Sequence, residues 1–274
     1  MKNIKTLITL IALVAIVTSC MNEEIEGITN QGEAATESSS VITMITDRAD
    51  GIINLSIDAP ESKRSQLWID LNGDGVRAED GTEDISKLNS YQDYYLAPGL
   101  KTVSVYGDIT YLASASNELT TIDVSRNPHL TTLNAPLNKL TELDVTQNGA
   151  LEHIDCSGNN IHAVDVSQNS KLFSLWVFNN NLTELDLSNN SNLASLDFSG
   201  NQLNSIDVSQ NSELVRLIGF NNQLTSLDIS NNEKLNRIWL FGNPIPNQEV
   251  ELIIDSMDGI NDEDLWISDS DVLL

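Results

Sequence analysis

The sequence predicts a mostly β solenoid of short coils, with a small β module ahead of it and a short helix and strand behind it. Three observations carry that prediction. Apolar residues recur with an unbroken period of 21, the other half of each unit alternates apolar and polar residues with no helical spacing, and the segment ahead of the series alternates in short runs of its own.

The period is read directly from the residues. Leu119, Leu140, Ile161, Leu182, Leu203, Leu224 and Ile245 lie 21 apart, as do Leu130, Leu151, Leu172, Leu193, Leu214 and Leu235. Leu133, Ile154, Leu175, Leu196, Leu217 and Ile238 keep the same spacing, and so do Asn138, Asn159, Asn180, Asn201, Asn222 and Asn243. One unit, Leu193-Ala-Ser-Leu196-Asp-Phe198-Ser-Gly-Asn201-Gln-Leu203, matches L-x-x-L-x-L-x-x-N-x-L, the signature of a leucine-rich repeat. The repeats are placed at 109–245, with six regular coils from Leu119 and a weaker one ahead of them. Each coil has an apolar row that it cannot bury alone, and stacking buries the rows as one core. The recurrent Asn is read as structural, bonding backbone groups that the turn leaves unpaired.

The second half of each unit, as in Leu185-Asp186-Leu187-Ser188, alternates apolar and polar and so predicts extended chain on the convex side. Its Asp123, Asp144, Asp165, Asp186, Asp207 and Asp228 form a ladder of like charges. Adjacent carboxylates about 5 Å apart repel by ~0.8 kcal/mol in water. A local bond to the backbone or to the Ser or Thr two residues on is the expected offset; shared divalent cations are the alternative.

Residues 41–108 predict the β module, from runs such as Ile52-Ile53-Asn54-Leu55-Ser56-Ile57 and Val103-Ser104-Val105-Tyr106. Within it, Asp70-Leu71-Asn72-Gly73-Asp74-Gly75-Val76 reproduces the first half of a calcium loop, with ligands expected from Asp70, Asn72, Asp74 and the Val76 carbonyl. Gly81 stands where the bidentate Glu belongs, so Glu79, Asp80 or Glu83 would have to substitute. A tight turn without an ion is the competing reading. At the other end, residues 246–274 predict a cap: a helix opening at Pro246, then a strand at Leu265-Trp266-Ile267 that pairs with the last coil.

Residues 1–19 read as a signal peptide, with Lys2 and Lys5 ahead of a short apolar run. Val17-Thr18-Ser19-Cys20 resembles the lipoprotein box, which implies acylation at Cys20; a plain signal with an incidental cysteine is the alternative. Met21, in place of Asp, favours the outer membrane, and the acidic stretch that follows resembles the surface-export signal of Bacteroidota lipoproteins. Residues 20–40 then form a flexible tether. The 21-residue unit, its Leu-Asp-x-Ser-x-Asn half and Cys156 in a core leucine position resemble the repeats of internalin J and of Bacteroidota surface lipoproteins. That resemblance covers about half the chain and implies adhesion or partner binding without fixing a ligand. With Cys in only one repeat, a cysteine ladder is not expected here.

In each concave strand the residues before, between and after the two inward positions face the hollow. Those slots hold five of the seven aromatics in the six coils. The candidate ligand-binding set is Trp176, Phe178, Arg216, Ile218, Phe220, Arg237, Trp239 and Phe241. Large apolar groups with Arg beside them mark interaction surfaces, and Trp176 to Trp239 should span roughly 14 to 15 Å. Plain cross-strand pairing of Ile218 with Trp239 and Phe220 with Phe241 is the structural alternative.

No catalytic constellation emerges, so an enzyme is not expected. His129, His153 and His162 have no site spacing, and alternation turns Cys156 inward, away from His153 and Asp155. With 14 basic and 40 acidic residues, a net charge of −26, nucleic-acid partners are excluded. The expectation is a monomeric, surface-anchored, adhesin-like protein that recognises a protein ligand on its concave face. Glycan binding for nutrient capture is the alternative, and a scaffold subunit packed on a membrane partner is a third class.

Overall fold

The computed structural model describes residues 40–255 and 265–267. The expected signal peptide, Cys20 and the tether up to residue 39 lie outside the described residues.

The N-terminal module comprises β1 (Val41–Thr46), β2 (Ile52–Asp58), a 3-10 turn at Glu61–Gln66, β3 (Trp68–Asp70), β4 (Gln92–Tyr95) and β5 (Thr102–Tyr106). The coils supply β6 (Tyr111–Ala113), β7 (Leu119–Asp123), β8 (Thr132–Asn134), β9 (Leu143–Asp144), β10 (His153–Asp155) and β11 (Val164–Asp165). They continue with β12 (Ser174–Trp176), β13 (Ser195–Asp197), β14 (Arg216–Ile218) and β15 (Arg237–Trp239), followed by α1 (Asn247–Asp255) and β16 (Leu265–Trp266).

One ten-stranded sheet forms the concave wall, in the order β16-β15-β14-β13-β12-β10-β8-β6-β2-β4, parallel from β16 to β6. The module is joined to the solenoid along both walls. Antiparallel β2 and β4 extend the concave sheet, and β1 pairs with β7 on the convex side within the sheet β3-β5-β1-β7. This covers the open end of the core, as a solenoid requires, and one apolar cluster runs from Ile42 to Ile267. At the far end β16 pairs with β15 as expected.

Parallel pairing in register follows from the period, because equivalent residues of successive coils must sit side by side. Leu133, Ile154, Leu175, Leu196, Leu217 and Ile238 are accordingly buried, and the ladder continues past each strand through bonds such as Cys156 N–H to the Trp176 carbonyl at 3.0 Å. The second inward row reads Ala135, Cys156, Val177, Phe198, Gly219 and Leu240. Phe198 is the largest side chain in that row, and Gly219 above it is the smallest. A Cβ at Gly219 would lie 2.2 Å from the Phe198 ring, so the two residues together fill one layer's volume.

The recurrent Asn is structural. In Asn159 the side-chain oxygen accepts the Leu140 N–H at 3.0 Å, while its NH2 donates to the Ala135 and Cys156 carbonyls at 3.0 and 2.9 Å. The same set recurs at Asn180, Asn201 and Asn222. A second asparagine ladder lines the convex turns. There Asn148, Asn169, Asn190, Asn211 and Asn232 each donate to two carbonyls of the preceding coil.

The convex side is extended, but among the described coils only β9 and β11 pair there as parallel strands. The aspartate ladder shows why pairing is dispensable. Each Asp turns onto its own coil, its Oδ1 accepting the N–H two residues on at 2.9 Å, from Ser125 through Ser230. This local bond is the expected offset to repulsion. It also holds the carboxyls of Asp144, Asp165, Asp186, Asp207 and Asp228 below the usual carboxylate range, the hydroxyl contributing most at 144, 165 and 207 and the N–H at 186 and 228.

A folded pKa below the unfolded value means stability that is complete above the usual carboxylate range and lost as pH falls through the depressed values. The Tm of the full chain should therefore fall on acidification below about pH 4. At neutral pH Asp186→Asn, which keeps the accepting oxygen, should melt close to wild type, and Asp186→Ala should melt lower. Equal melting of the two variants would remove the turn bond as the explanation.

Candidate functional site

Two outward rows line the concave sheet. The first reads Tyr111, Thr132, His153, Ser174, Ser195, Arg216 and Arg237 in register; the second reads Ala113, Asn134, Asp155, Trp176, Asp197, Ile218, Trp239 and Trp266. The face thus changes from polar and acidic near the module to basic and aromatic near the cap.

A hollow of about 390 Å³ opens in the upstream part, lined by Thr132, Asn134, His153, Asp155, Phe173, Ser174, Trp176 and Ser195. Trp176 is 37% exposed and its indole N–H donates to Ser195 Oγ at 3.4 Å. The His153 ring meets Phe173 edge to face at 5.8 Å. Trp176 stands between Asp155 and Asp197 in register. Each carboxylate accepts the hydroxyl and N–H of the serine two residues on through Oδ1, the hydroxyls at 2.6 Å. Burial pushes the Asp197 carboxyl upward, against the opposing pull of Ser199 and Arg216. Tyr91, from the module, comes near the head of the hollow: its hydroxyl is raised first by burial and then by Tyr111 and Asp155.

Downstream, Phe220 stacks on Phe241 at 4.6 Å and Phe241 on Trp266 at 4.0 Å. The Arg237 guanidinium lies over the Trp239 ring at 5.6 Å, within cation–π range. Arg216 Nε and Trp239 Nε1 are buried without hydrogen-bond partners among the described residues.

The eight expected ligand-binding residues therefore do not form one exposed patch. Trp176 is open, Phe178, Arg216, Phe220, Arg237, Trp239 and Phe241 are half-buried, and Ile218 is fully buried. Ile218 is corrected to a packing residue, an aliphatic side chain shorter than the Trp239 indole beside it in register. The Phe220–Phe241 pair does stack across strands, as the structural alternative held. Ser157 and Ser199, two further outward slots, are buried with their hydroxyls on the neighbouring aspartates. Sequence reasoning missed Phe173, just ahead of its strand and 51% exposed, and Trp266, which extends the aromatic column from beyond the coils. Cys156 faces the core, where burial pushes its thiol up to about 12, away from the reactive range. His129 Nδ1 pairs with Asp108 Oδ1 at 2.7 Å on the surface, far from any such chemistry.

The stacked 21-residue coils, their inward leucine rows and their asparagine turns define the fold as a leucine-rich-repeat solenoid. The sequence profile of one family, described as the LVIVD repeat, matches residues 100–133. None of the curated proteins matches. Among solved structures, the functional domain of InlJ from Listeria monocytogenes, described as including a cysteine ladder, is 44% identical with a TM-score of 0.49, over 50% of this chain and 30% of that one. A leucine-rich-repeat protein of Leptospira interrogans is 30% identical with a TM-score of 0.49, over 50% and 38%. An internalin of Listeria monocytogenes is 28% identical with a TM-score of 0.44, over 48% and 41%. The chain spans less than half the length of each. No helix among the described residues is long and apolar enough to cross a membrane.

The calcium-loop-like turn closes on itself. Asp70 accepts the Gly73 and Gly75 N–H groups at 2.6 and 3.0 Å, Asn72 Nδ2 donates to Asp74 Oδ2 at 2.9 Å, and Asp74 Oδ1 accepts the Val76 N–H at 2.8 Å. Buried Glu83 caps the Leu71 and Ala78 N–H groups, both at 3.0 Å. Among the described residues no three His, Cys, Asp or Glu side chains gather to hold a metal. Melting the full chain in millimolar calcium and in EDTA tests the calcium reading: a calcium-dependent rise in Tm assigns an ion to Asp70, Asn72, Asp74 and the Val76 carbonyl, and equal melting leaves the turn without one.

Proposed function

We propose that the chain is an adhesin-like binding protein, lipid-anchored through Cys20 to the outer membrane and displayed at the cell surface, that recognises a protein ligand on the concave face of its solenoid. One observation carries this reading: two exposed rings, Trp176 and Phe173, line an open hollow on the concave sheet together with His153, Asp155 and small hydroxyl side chains. Adjacent exposed aromatic rings rimmed by polar groups mark interaction surfaces, and Trp is enriched among binding hot spots. The leader, Cys20 and the acidic stretch after it support the anchor and its outward orientation. A glycan ligand is the second reading, favoured by the hydroxyls, the Asn134 amide and the Asp155 carboxylate that line the same hollow.

The test is binding of the detergent-solubilised full chain to arrays of extracellular-matrix proteins and of glycans, beside a Trp176→Ala/Trp239→Ala variant. Binding to protein spots that falls about tenfold or more in the variant, ~1.4 kcal/mol, is the expected result. Equal binding by both removes the concave face as the site, and variant-sensitive binding confined to glycans selects the second reading. For the anchor, labelled palmitate should be incorporated by wild type and not by Cys20→Ser.

A further inference from the structure

We infer that the hollow at Trp176 is a receptor for a single cationic side chain, a Lys or Arg presented by an extended basic segment of the protein ligand. This rests on the concave-face reading above and gives it a chemistry.

Register sets the geometry of the site. Asp155, Trp176 and Asp197 are paired on three adjacent strands. Strands about 4.8 Å apart put one carboxylate on the strand at either side of the indole, Asp155 lining the hollow itself and Asp197 standing on the next strand beyond the ring. The indole face attracts a cation through its quadrupole, and the two carboxylates attract it from opposite sides. Each aspartate uses Oδ1 for its serine, leaving Oδ2 without a hydrogen bond among the described residues. The serine bonds also fix both carboxylates in place, so little ordering is left to binding.

Burial adds to this. The Asp197 carboxyl is held where its charge is poorly solvated, and an arriving cation restores what water would have supplied. Arg216, in register with Ser195 on the next strand, acts on Asp197 through space and partly offsets its burial but makes no ion pair with it among the described residues. The hollow, about 390 Å³, has room for a Lys or Arg side chain together with part of the segment that presents it; Asp155 lines it, and Phe173 and His153 form one wall. The net charge of −26 steers basic segments toward the molecule from a distance.

The experiment uses the detergent-solubilised full chain and three short peptides identical except for one central residue, Arg, Lys or citrulline, with binding followed by calorimetry at low and moderate salt. Arg and Lys peptides should bind and weaken as salt rises, and citrulline, isosteric with Arg but neutral, should bind at least about tenfold more weakly. Asp155→Asn and Asp197→Asn keep the oxygen that the serines bond and so should melt near wild type, yet each should weaken the Arg peptide several-fold. Equal affinity for Arg and citrulline peptides overturns the cation site. If array binding is lost in Trp176→Ala but unchanged in both Asn variants, the concave face stands and the cationic ligand falls. If Trp176→Ala changes neither array nor peptide binding, both readings fall.

Discussion

The solenoid depends on one interaction, the buried asparagine side chain that completes backbone hydrogen bonding where a coil leaves its concave strand. A tight turn leaves N–H and C=O groups pointing into the core, and each costs free energy if left unpaired. One amide side chain answers this in both directions: the Asn180 oxygen takes the Ile161 N–H of the preceding coil, and its NH2 bridges Cys156 of that coil to Val177 of its own. Because the partners are backbone atoms of the coil before, each Asn also sets the spacing and register of the stack.

That register produces the functional surface. Side chains 21 residues apart are forced into rows, so a change at one slot becomes a position along the face. The polar hollow around Trp176 and the aromatic column of Phe220, Phe241 and Trp266 are two stretches of the same wall, differing only in what the sequence places in equivalent slots. The column has an internal use, sealing the last coil against the C-terminal strand. The hollow, with its ring open and its carboxylates fixed, has no comparable packing role.

The stack also explains residues with no place in the repeat signature. The residue before each ladder Asn adopts positive φ, and that slot holds Leu137, Gly158, Asn179, Gly200, Asn221 and Gly242. A Cβ at Gly200 or Gly242 would lie 2.3 or 2.2 Å from the side-chain oxygen of Asn179 or Asn221, so each glycine leaves room for its neighbour one coil back. Phe198 and Gly219 show the same complementarity in the core.

Period and alternation made the coils, their inward rows and both caps legible, because these are properties of spacing alone. Alternation also placed Cys156 inward. It failed where outward-pointing differs from exposed: Ile218 points to the concave side and is covered, and Ser157 and Ser199 are drawn down onto Asp155 and Asp197. Phe173 escaped because it precedes its strand, and Trp266 because its pairing joins segments that no repeat links. The second asparagine ladder was visible as a repeated Asn, but its reach to carbonyls 24 and 21 residues back needed coordinates. The most direct test of the account is amide hydrogen exchange of the full chain and of Asn180→Ala. The Ile161 amide, held by Asn180, should be strongly protected in wild type and exchange markedly faster in the variant, while the Leu140 amide, held by Asn159, stays protected. Equal exchange at Ile161 in the two proteins would contradict the claim that asparagine side chains hold the coils together.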